Sequence, residues 1–516
     1  HSIFTLLICI FISFSCFSQN KDKESKTREK EIDKLLSKMT IKEMVGQLIM
    51  IGADTEVNKK YCEKILKDID SNKVGGVCFF KGKSDNLPKL INKYNSVCKI
   101  PLLVSIDGEW SLSMRFTDLD PFPRAMALGA LDSNDYSLVY KKADIIGKQC
   151  RTLGIHINFA PAIDINLNPA NPVINTRSFG QNKWKVSLLS EQYIKGLQDN
   201  GVMAVIKHFP GHGDTDLDSH LSLPTISHSK DFIDTVDLIP FKYNIEKGVW
   251  GAMIAHLNVP ALNKNYTYPA SINPDIIQGY LVDELGFEGL VFTDAMNMKG
   301  LTNDYPDGRA QVLALKAGVD ILLMPNNTDS AMNAILSAIE NGELSKDLIK
   351  EKCRKVLQWK YKLGVMNPKH APKPLSKKQK EEIGKHCEVI APKILTLLEN
   401  KDNIIPINKK DTNQIIFVNL DNKDYSYFLK QAKKYKEIIS YSFEKKSLNE
   451  DLENLLNVLD SSKTVIVAAS GGVNSKKTDN YGISQESLEL LSSIQETKAK
   501  NILLLFANPY SLESLD

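Results

Sequence analysis

Between residues 207 and 220 the chain reads Lys207-His-Phe-Pro-Gly-His-Gly-Asp-Thr-Asp-Leu-Asp-Ser-His220, a run dense in groups that exchange protons. Gly211 and Gly213 allow the backbone to turn sharply within it. Asp218 stands two residues before His220. A carboxylate that accepts from an imidazole fixes its tautomer and favours the protonated ring, and such a ring gives and takes a proton near neutral pH. The same pair also reads as a structural histidine salt-bridged on a loop. His212 and Asp214 read equally as braces that satisfy backbone groups of the turn. A second candidate, Asp294, ends the apolar run Gly289-Leu-Val-Phe-Thr-Asp294. A carboxylate at such a strand end, facing a pocket, is suited to attack an electrophilic carbon. The alternative is an aspartate that caps the next helix.

These residues need elements that present them together. Eight short runs, at 47–52, 76–80, 102–107, 157–164, 204–209, 251–257, 290–294 and 321–324, are mostly Val, Ile, Leu, Phe and Ala without polar alternation. That is the pattern of parallel strands buried on both faces. Helix-length amphipathic stretches separate them. Eight β/α units over roughly 300 residues suit a TIM-like (β/α)8 barrel, with a doubly wound open sheet as the runner-up. In a barrel the active site lies at the C-terminal strand ends. Here the third run ends in Asp107, followed by Gly108-Glu109-Trp110, and the fourth ends in Asp164. The fifth ends in Lys207-His208, the sixth carries His256, and the seventh ends in Asp294. Any one of these reads as a solvated loop residue, but five strands agreeing points to a site.

The rest of the chain bounds the reading. At 516 residues it is too long for one core, so two or more domains are expected. Lys+Arg total 65 and Asp+Glu 62, a net charge of +3, which provides no long-range pull towards nucleic acid or acidic lipid. Residues 1–20 read as a signal peptide with an apolar core, too short to span a membrane as a stable anchor, so export to a periplasmic or extracellular space is expected. The sequence starts at His1 without a Met, so the start is expected to lie upstream. Cys16 is a second reading, as a lipid-attachment site, which Ile12-Ser13-Phe14-Ser15 fits poorly. Of the eight cysteines, Cys9 and Cys16 lie in that leader. Cys62, Cys78, Cys98, Cys150, Cys353 and Cys387 are scattered without a CxxC, and read as free thiols rather than a zinc site or a disulfide framework. The barrel is expected over 21–364 and a linker over 365–394, from the Lys- and Pro-containing stretch 366–380. A second, partial α/β domain follows over 395–516, with strands at 415–420, 438–443, 465–470 and 501–507. It looks interrupted at Asp516.

The run 207–220 resembles the signature of the family-three glycoside hydrolases, in their β-N-acetylglucosaminidase (β-N-acetylhexosaminidase) branch. Asn158-Phe-Ala-Pro-Ala-Ile-Asp164, Asn175-Thr-Arg-Ser-Phe-Gly180 and residues 289–294 match as well. The resemblance covers about 41–364, with residues from 395 onwards similar to the start of the family's second, α/β sandwich domain. It implies a retaining, exo-acting hydrolase of terminal β-linked N-acetylglucosamine that uses no cofactor and no metal. It makes Asp294 the nucleophile, His220 the acid/base and Asp218 its partner. Lys207, His208 and Arg177 would hold sugar hydroxyls and the neighbourhood of the acetamido group, and Asp107 and Arg115 would line the same subsite. The chain departs from the family's Asp-Gln-Glu-Gly-Gly-Arg run, which reads Asp107-Gly-Glu-Trp-Ser-Leu here, so Trp110 and Leu112 alter that wall. The implied substrates are amino-sugar glycans of muropeptide or chitooligosaccharide type.

Other readings stay open at this point. A β-glucosidase or a glycoside phosphorylase would share the scaffold, since a neutral imidazole base does not repel phosphate as a carboxylate would. A metal-dependent hydrolase also fits histidines and aspartates at strand ends. Against it, Lys207 sits where a ligand is expected, and no His-x-His ends an early strand. The last reading is a non-catalytic glycan-binding barrel.

Overall fold

The computed structural model describes residues 25–217, 222–265, 267–305, 308–366, 368, 371–408, 410, 413–421, 423–443, 448–472 and 477–515. The leader with Cys16 lies outside the described residues, as do Asp218 and His220. No helix among the described residues is long and apolar enough to cross a membrane.

The eight apolar runs form eight strands, because a run with no polar alternation suits a parallel strand covered on both faces. They are β1 Ile49–Ala53, β2 Gly76–Phe79, β3 Leu103–Ile106, β4 Ile157–Asn158, β5 Met203–Phe209, β6 Gly251–Ile254, β7 Leu290–Thr293 and β8 Leu322–Leu323. Each pairs parallel with its sequence neighbour from β1 to β7, and β8 pairs with β1. A parallel bridge between Phe292 and Ile321 joins β7 to β8 and closes the ring. The Thr293 amide donates to Ile321 O at 3.2 Å and the Ile321 amide to Val291 O at 3.0 Å. This is the (β/α)8 barrel.

Helices wrap the ring. Ser137–Leu153 and Lys183–Gln198 follow β3 and β4 and pack on each other. Gly196 permits that approach: a Cβ there would meet Tyr140 O at 2.5 Å and the Ala143 Cβ at 2.7 Å. Asn182 caps the second helix by accepting from the Trp184 and Lys185 amides. That fixes the exit of the segment carrying Arg177.

The linker expected over 365–394 is corrected in part. Lys377–Ile394 is a helix packed on the first unit, which runs to Ile394. Its lysines hide a buried face of Ile383, His386 and Ile390. The His386 Nε2 bonds Leu138 O at 2.9 Å and the Gln149 Nε2 donates to Gln379 O at 2.9 Å.

The second unit, from Leu395, holds a parallel sheet in the order β10-β9-β11-β12. The strands are β9 Gln414–Asn419, β10 Ile438–Ser442, β11 Lys463–Ser470 and β12 Lys500–Phe506. Alternate residues face two apolar clusters. Val418 and Val467 pack with Leu455 and Ile494, and Phe417 and Ile466 pack with Phe428 and Leu429. Covering both faces makes an α/β sandwich.

Candidate active site

The ends of β3 and β5 meet through charge. Lys207 Nζ, on a side chain only 2% exposed, lies 2.6 Å from Asp107 Oδ1 and 2.7 Å from Glu109 Oε1. Arg115 pairs with the other Asp107 oxygen through Nη2, and its Nε donates to Asp107 O at 3.0 Å. Arg177 grips Glu109, with Nη2 at 2.7 Å from Oε1 and Nε at 3.0 Å from Oε2. Three cations therefore face two carboxylates. Burial pushes both carboxyls up, but Lys207 and Arg115 outweigh it at Asp107, as Arg177 and Lys207 do at Glu109. Both sit below the usual carboxylate range and stay ionised. Burial opposes the charge on Arg177, yet Glu109 raises its pKa above the ordinary value.

The backbone under this cluster is held in place. Gly108 exchanges two hydrogen bonds with the Asn158 side chain, at 2.9 and 3.2 Å. The Tyr193 hydroxyl donates to Glu109 O at 3.0 Å. Leu112, at the family's arginine position, is fully buried in the core, and Trp110 carries the Arg124 guanidinium 4.0 Å above its ring. The altered wall is thus packing at Leu112 and a cation–π stack at Trp110, while Arg115 serves Asp107.

Asp164 is the pillar beneath His208. It is 0% exposed and accepts from the His208 amide at 3.1 Å, the His208 Nδ1 at 2.8 Å and the His212 amide at 2.7 Å. Burial pushes its carboxyl up, and His208 and His212 more than offset that, leaving it lowered. The His208 Nε2 lies 3.2 Å from Arg177 Nη2.

Asp294 follows β7. Its Oδ1 accepts from the Ala295 amide at 2.7 Å, and its own amide donates to Ile254 O at 2.9 Å, tying β7 to β6. The next helix, Lys299–Thr302, starts at Met298 without a side-chain cap. The helix-cap reading therefore fails. Burial pushes the Asp294 carboxyl up; the imidazoles of His208 and His256, the Ala295 amide and Lys207 bring it below its ordinary value. The amide and Lys207 act in that direction whatever protons the rings carry. Asp294 is half-buried. His256 is fully buried after β6, with Nε2 donating to Ala295 O at 3.1 Å and Nδ1 2.6 Å from Ser271 Oγ. It fixes the backbone next to Asp294.

In the loop after β5, His212 and Asp214 are braces. The His212 Nδ1 lies 2.7 Å from Thr215 Oγ1, and His212 O accepts from Asn171 Nδ2 at 2.8 Å. Gly213 presses on the backbone after Asp164: a Cβ there would fall 1.7 Å from Ile165 O. Burial, with His208 nearby, pushes the His212 pKa down from 6.5 to about 4, and the ring is 1% exposed. A depressed histidine contributes stability that is whole above pH 6.5 and is lost as pH falls towards 4, by about 3 kcal/mol in all. The expected result is that the gap between the melting temperatures of the protein and its H212Q variant narrows over that window. A constant gap would contradict it.

The structure thus gathers Asp107, Arg115, Arg177, Lys207, His208 and Asp294 at one end of the barrel. It adds Glu109, Asp164 and His256, whose positions at strand ends were visible in the sequence but whose pairings were not. Among the described residues, no three His, Cys, Asp or Glu stand together as a metal site.

Comparison with known proteins places the barrel in a family. Residues 40–359 match the family model described as glycosyl hydrolase family 3 N terminal domain. Beta-hexosaminidase A of Pseudoalteromonas piscicida is 30% identical over 391 residues, which span 70% of this chain and 64% of that protein. The chain therefore spans less than two thirds of that relative's length. A beta-N-acetylglucosaminidase/beta-glucosidase of Cellulomonas fimi is 26% identical, over 75% of this chain and 69% of its own length. Among solved structures, a family 3 beta-N-acetylglucosaminidase from Paenibacillus sp. str. FPU-7 superposes with a TM-score of 0.73 at 28% identity and covers 92% of both chains. With the model matched along most of the barrel, and charged strand ends converging on Asp294, the chain belongs to glycosyl hydrolase family 3.

Proposed function

We propose that the protein is a retaining, exo-acting β-N-acetylhexosaminidase that removes terminal β-linked N-acetylglucosamine from glycans. The observation that carries this reading is Asp294: an ionised, uncapping carboxylate at the end of β7, within electrostatic reach of Lys207, His208 and His256. Its carboxylate attacks the anomeric carbon while the bond to the aglycone oxygen breaks. His220, protonated and paired with Asp218, gives its proton to that oxygen. The neutral ring then takes a proton from water as the water displaces Asp294, and the configuration is retained. Lys207, His208, Arg177, Asp107 and Arg115 orient the sugar hydroxyls and the region of the acetamido group.

The pairing of the cations favours one of the close alternatives. Lys207, Arg115 and Arg177 each already face a carboxylate, so the pocket suits a neutral sugar and not a free anion. Aryl N-acetyl-β-glucosaminide should turn over at least about tenfold faster than aryl β-glucoside, in kcat/KM. Added phosphate should change neither rate nor product. A faster glucoside, or a sugar 1-phosphate product, would overturn the assignment.

The role of His220 has its own test. His220→Ala should lose about a hundredfold or more in kcat on phenyl substrates, where the departing oxygen needs a proton. It should lose far less on dinitrophenyl substrates, which leave unaided. Equal losses on both would rule out His220 as the acid.

A further inference from the structure

Asp214 opens the loop after β5 and His228 closes it. Although 14 positions apart, they touch: His228 Nε2 lies 2.7 Å from Asp214 Oδ2. The other ring nitrogen, Nδ1, lies 2.7 Å from Asp237 Oδ2. An ionised carboxylate only accepts, so a ring held between two of them keeps both protons unless one carboxyl carries a proton itself. Burial pushes the Asp237 carboxyl up to about 6, with Asp214 and Asp164 adding to it. Burial opposes the charge on His228, yet its two carboxylate partners raise its pKa. The Phe232 ring packs 4.2 Å from the imidazole. Asp237 also backs onto the start of the loop, where a Cβ at Gly211 would lie 3.2 Å from the Asp237 Cβ.

A second tie holds the returning strand of the loop. The Ile226 amide donates to Asn258 O at 2.9 Å, and the Asn258 amide donates to Pro224 O at 2.9 Å. Asn258 Nδ2 also donates to Thr225 Oγ1 at 3.2 Å. Asp214 and Pro224 are thus each tied to a neighbouring segment. Asp218 and His220 lie between them in sequence.

We propose that His228 is a positioning residue: bridging Asp214 and Asp237, it clamps the base of the β5 loop and so sets where the loop presents its acid/base pair. This rests on the reading of Asp218 and His220 as that pair. The physical reason lies in reach. Each extra residue of free chain widens the volume that a loop side chain explores, and a misplacement of about 1 Å at a reacting group costs about a hundredfold in rate. Release of the clamp would therefore act on the proton-transfer step and leave the sugar subsite alone, because Lys207, Arg177 and Asp107 are held by other partners.

The test uses the full chain with H228Q, D214N, H220A and the H228Q/H220A double variant, assayed on dinitrophenyl and phenyl N-acetyl-β-glucosaminides. H228Q should lower kcat on the phenyl substrate by about tenfold to a hundredfold, with KM and dinitrophenyl turnover changed by less than about threefold. The double variant should be no slower than H220A alone, because a residue acting through His220 is silent once His220 is gone. D214N, which alters the more exposed partner, should show the same substrate split even if H228Q folds poorly. Equal losses on the two substrates, or additive losses in the double variant, would overturn the clamp. If H220A alone shows no leaving-group dependence, the acid/base reading fails first and the clamp's role falls with it.

Discussion

An Asp294→Ala enzyme is expected to lose about four orders of magnitude or more in kcat on aryl N-acetyl-β-glucosaminides, on the order of 5 kcal/mol of barrier. In the proposed mechanism the carboxylate bonds to the anomeric carbon, and no neighbour is placed to replace it. His208 is locked between Asp164 and Arg177, and His256 is committed to Ser271 and Ala295. The fold should survive, since the hydrogen bond from Ala295 is local and the Asp294 backbone tie to Ile254 needs no side chain. The melting temperature should move by no more than about 3 °C. Azide, small enough to enter the space left by the carboxyl, should restore part of the rate and yield the glycosyl azide of inverted configuration. An alanine variant that keeps a tenth of the parent rate would remove Asp294 from the mechanism.

Lys207→Met should be costly in two ways. The ammonium is enclosed between Asp107 and Glu109, and its removal leaves those carboxylates facing each other with only Arg115 and Arg177 to compensate. Breaking a buried pair from one side costs about 3–5 kcal/mol. The same loss removes the donor proposed for the sugar, so kcat/KM should fall by about a hundredfold or more. Lys207→Arg should not rescue it, because a planar fork does not fit a site shaped around one compact charge. Adding Glu109→Gln to Lys207→Met should recover part of the stability, since it removes one of the stranded charges. A Lys207→Met protein that melts within about 1 °C of the parent, with unchanged KM, would show that the network is not structural.

Much of the barrel could be read from the chain because its strands are hidden on both faces. A run such as Val-Ile-Leu without polar alternation has few other places to go. The boundaries were harder. The fourth run, expected over 157–164, pairs regularly only at Ile157 and Asn158. Pro161 has no amide to donate, and the ladder resumes as a single bridge between Ala162 and Lys207. The helix Lys377–Ile394 was hidden by its lysines, whose charges mask three buried positions on one face.

The site divides in the same way. Asp107, Lys207, His208 and Asp294 were visible because charge at the end of an apolar strand is unusual. Their pairings were not. Asp107 and Lys207 are 100 positions apart on strands that are not neighbours. Alternate strands of a closed barrel point side chains into the same layer, and that geometry leaves no local mark in the sequence. Glu109 acquires its role through it, whereas Asp164 pairs with His208 and His212 from the neighbouring strand β5 and its loop. His228 is a further case: its contacts with Asp214 and Asp237, 14 and 9 positions away, leave no local mark in the sequence either.

The most direct test is to trap the covalent intermediate. The enzyme would be incubated with a 5-fluoro N-acetylglucosaminyl fluoride, digested, and mapped by mass spectrometry. The account predicts one labelled peptide spanning residues 290–298, with the sugar on Asp294 and recovery of activity as the label hydrolyses. A label on any other residue, or no label together with a first product of inverted configuration, would contradict it.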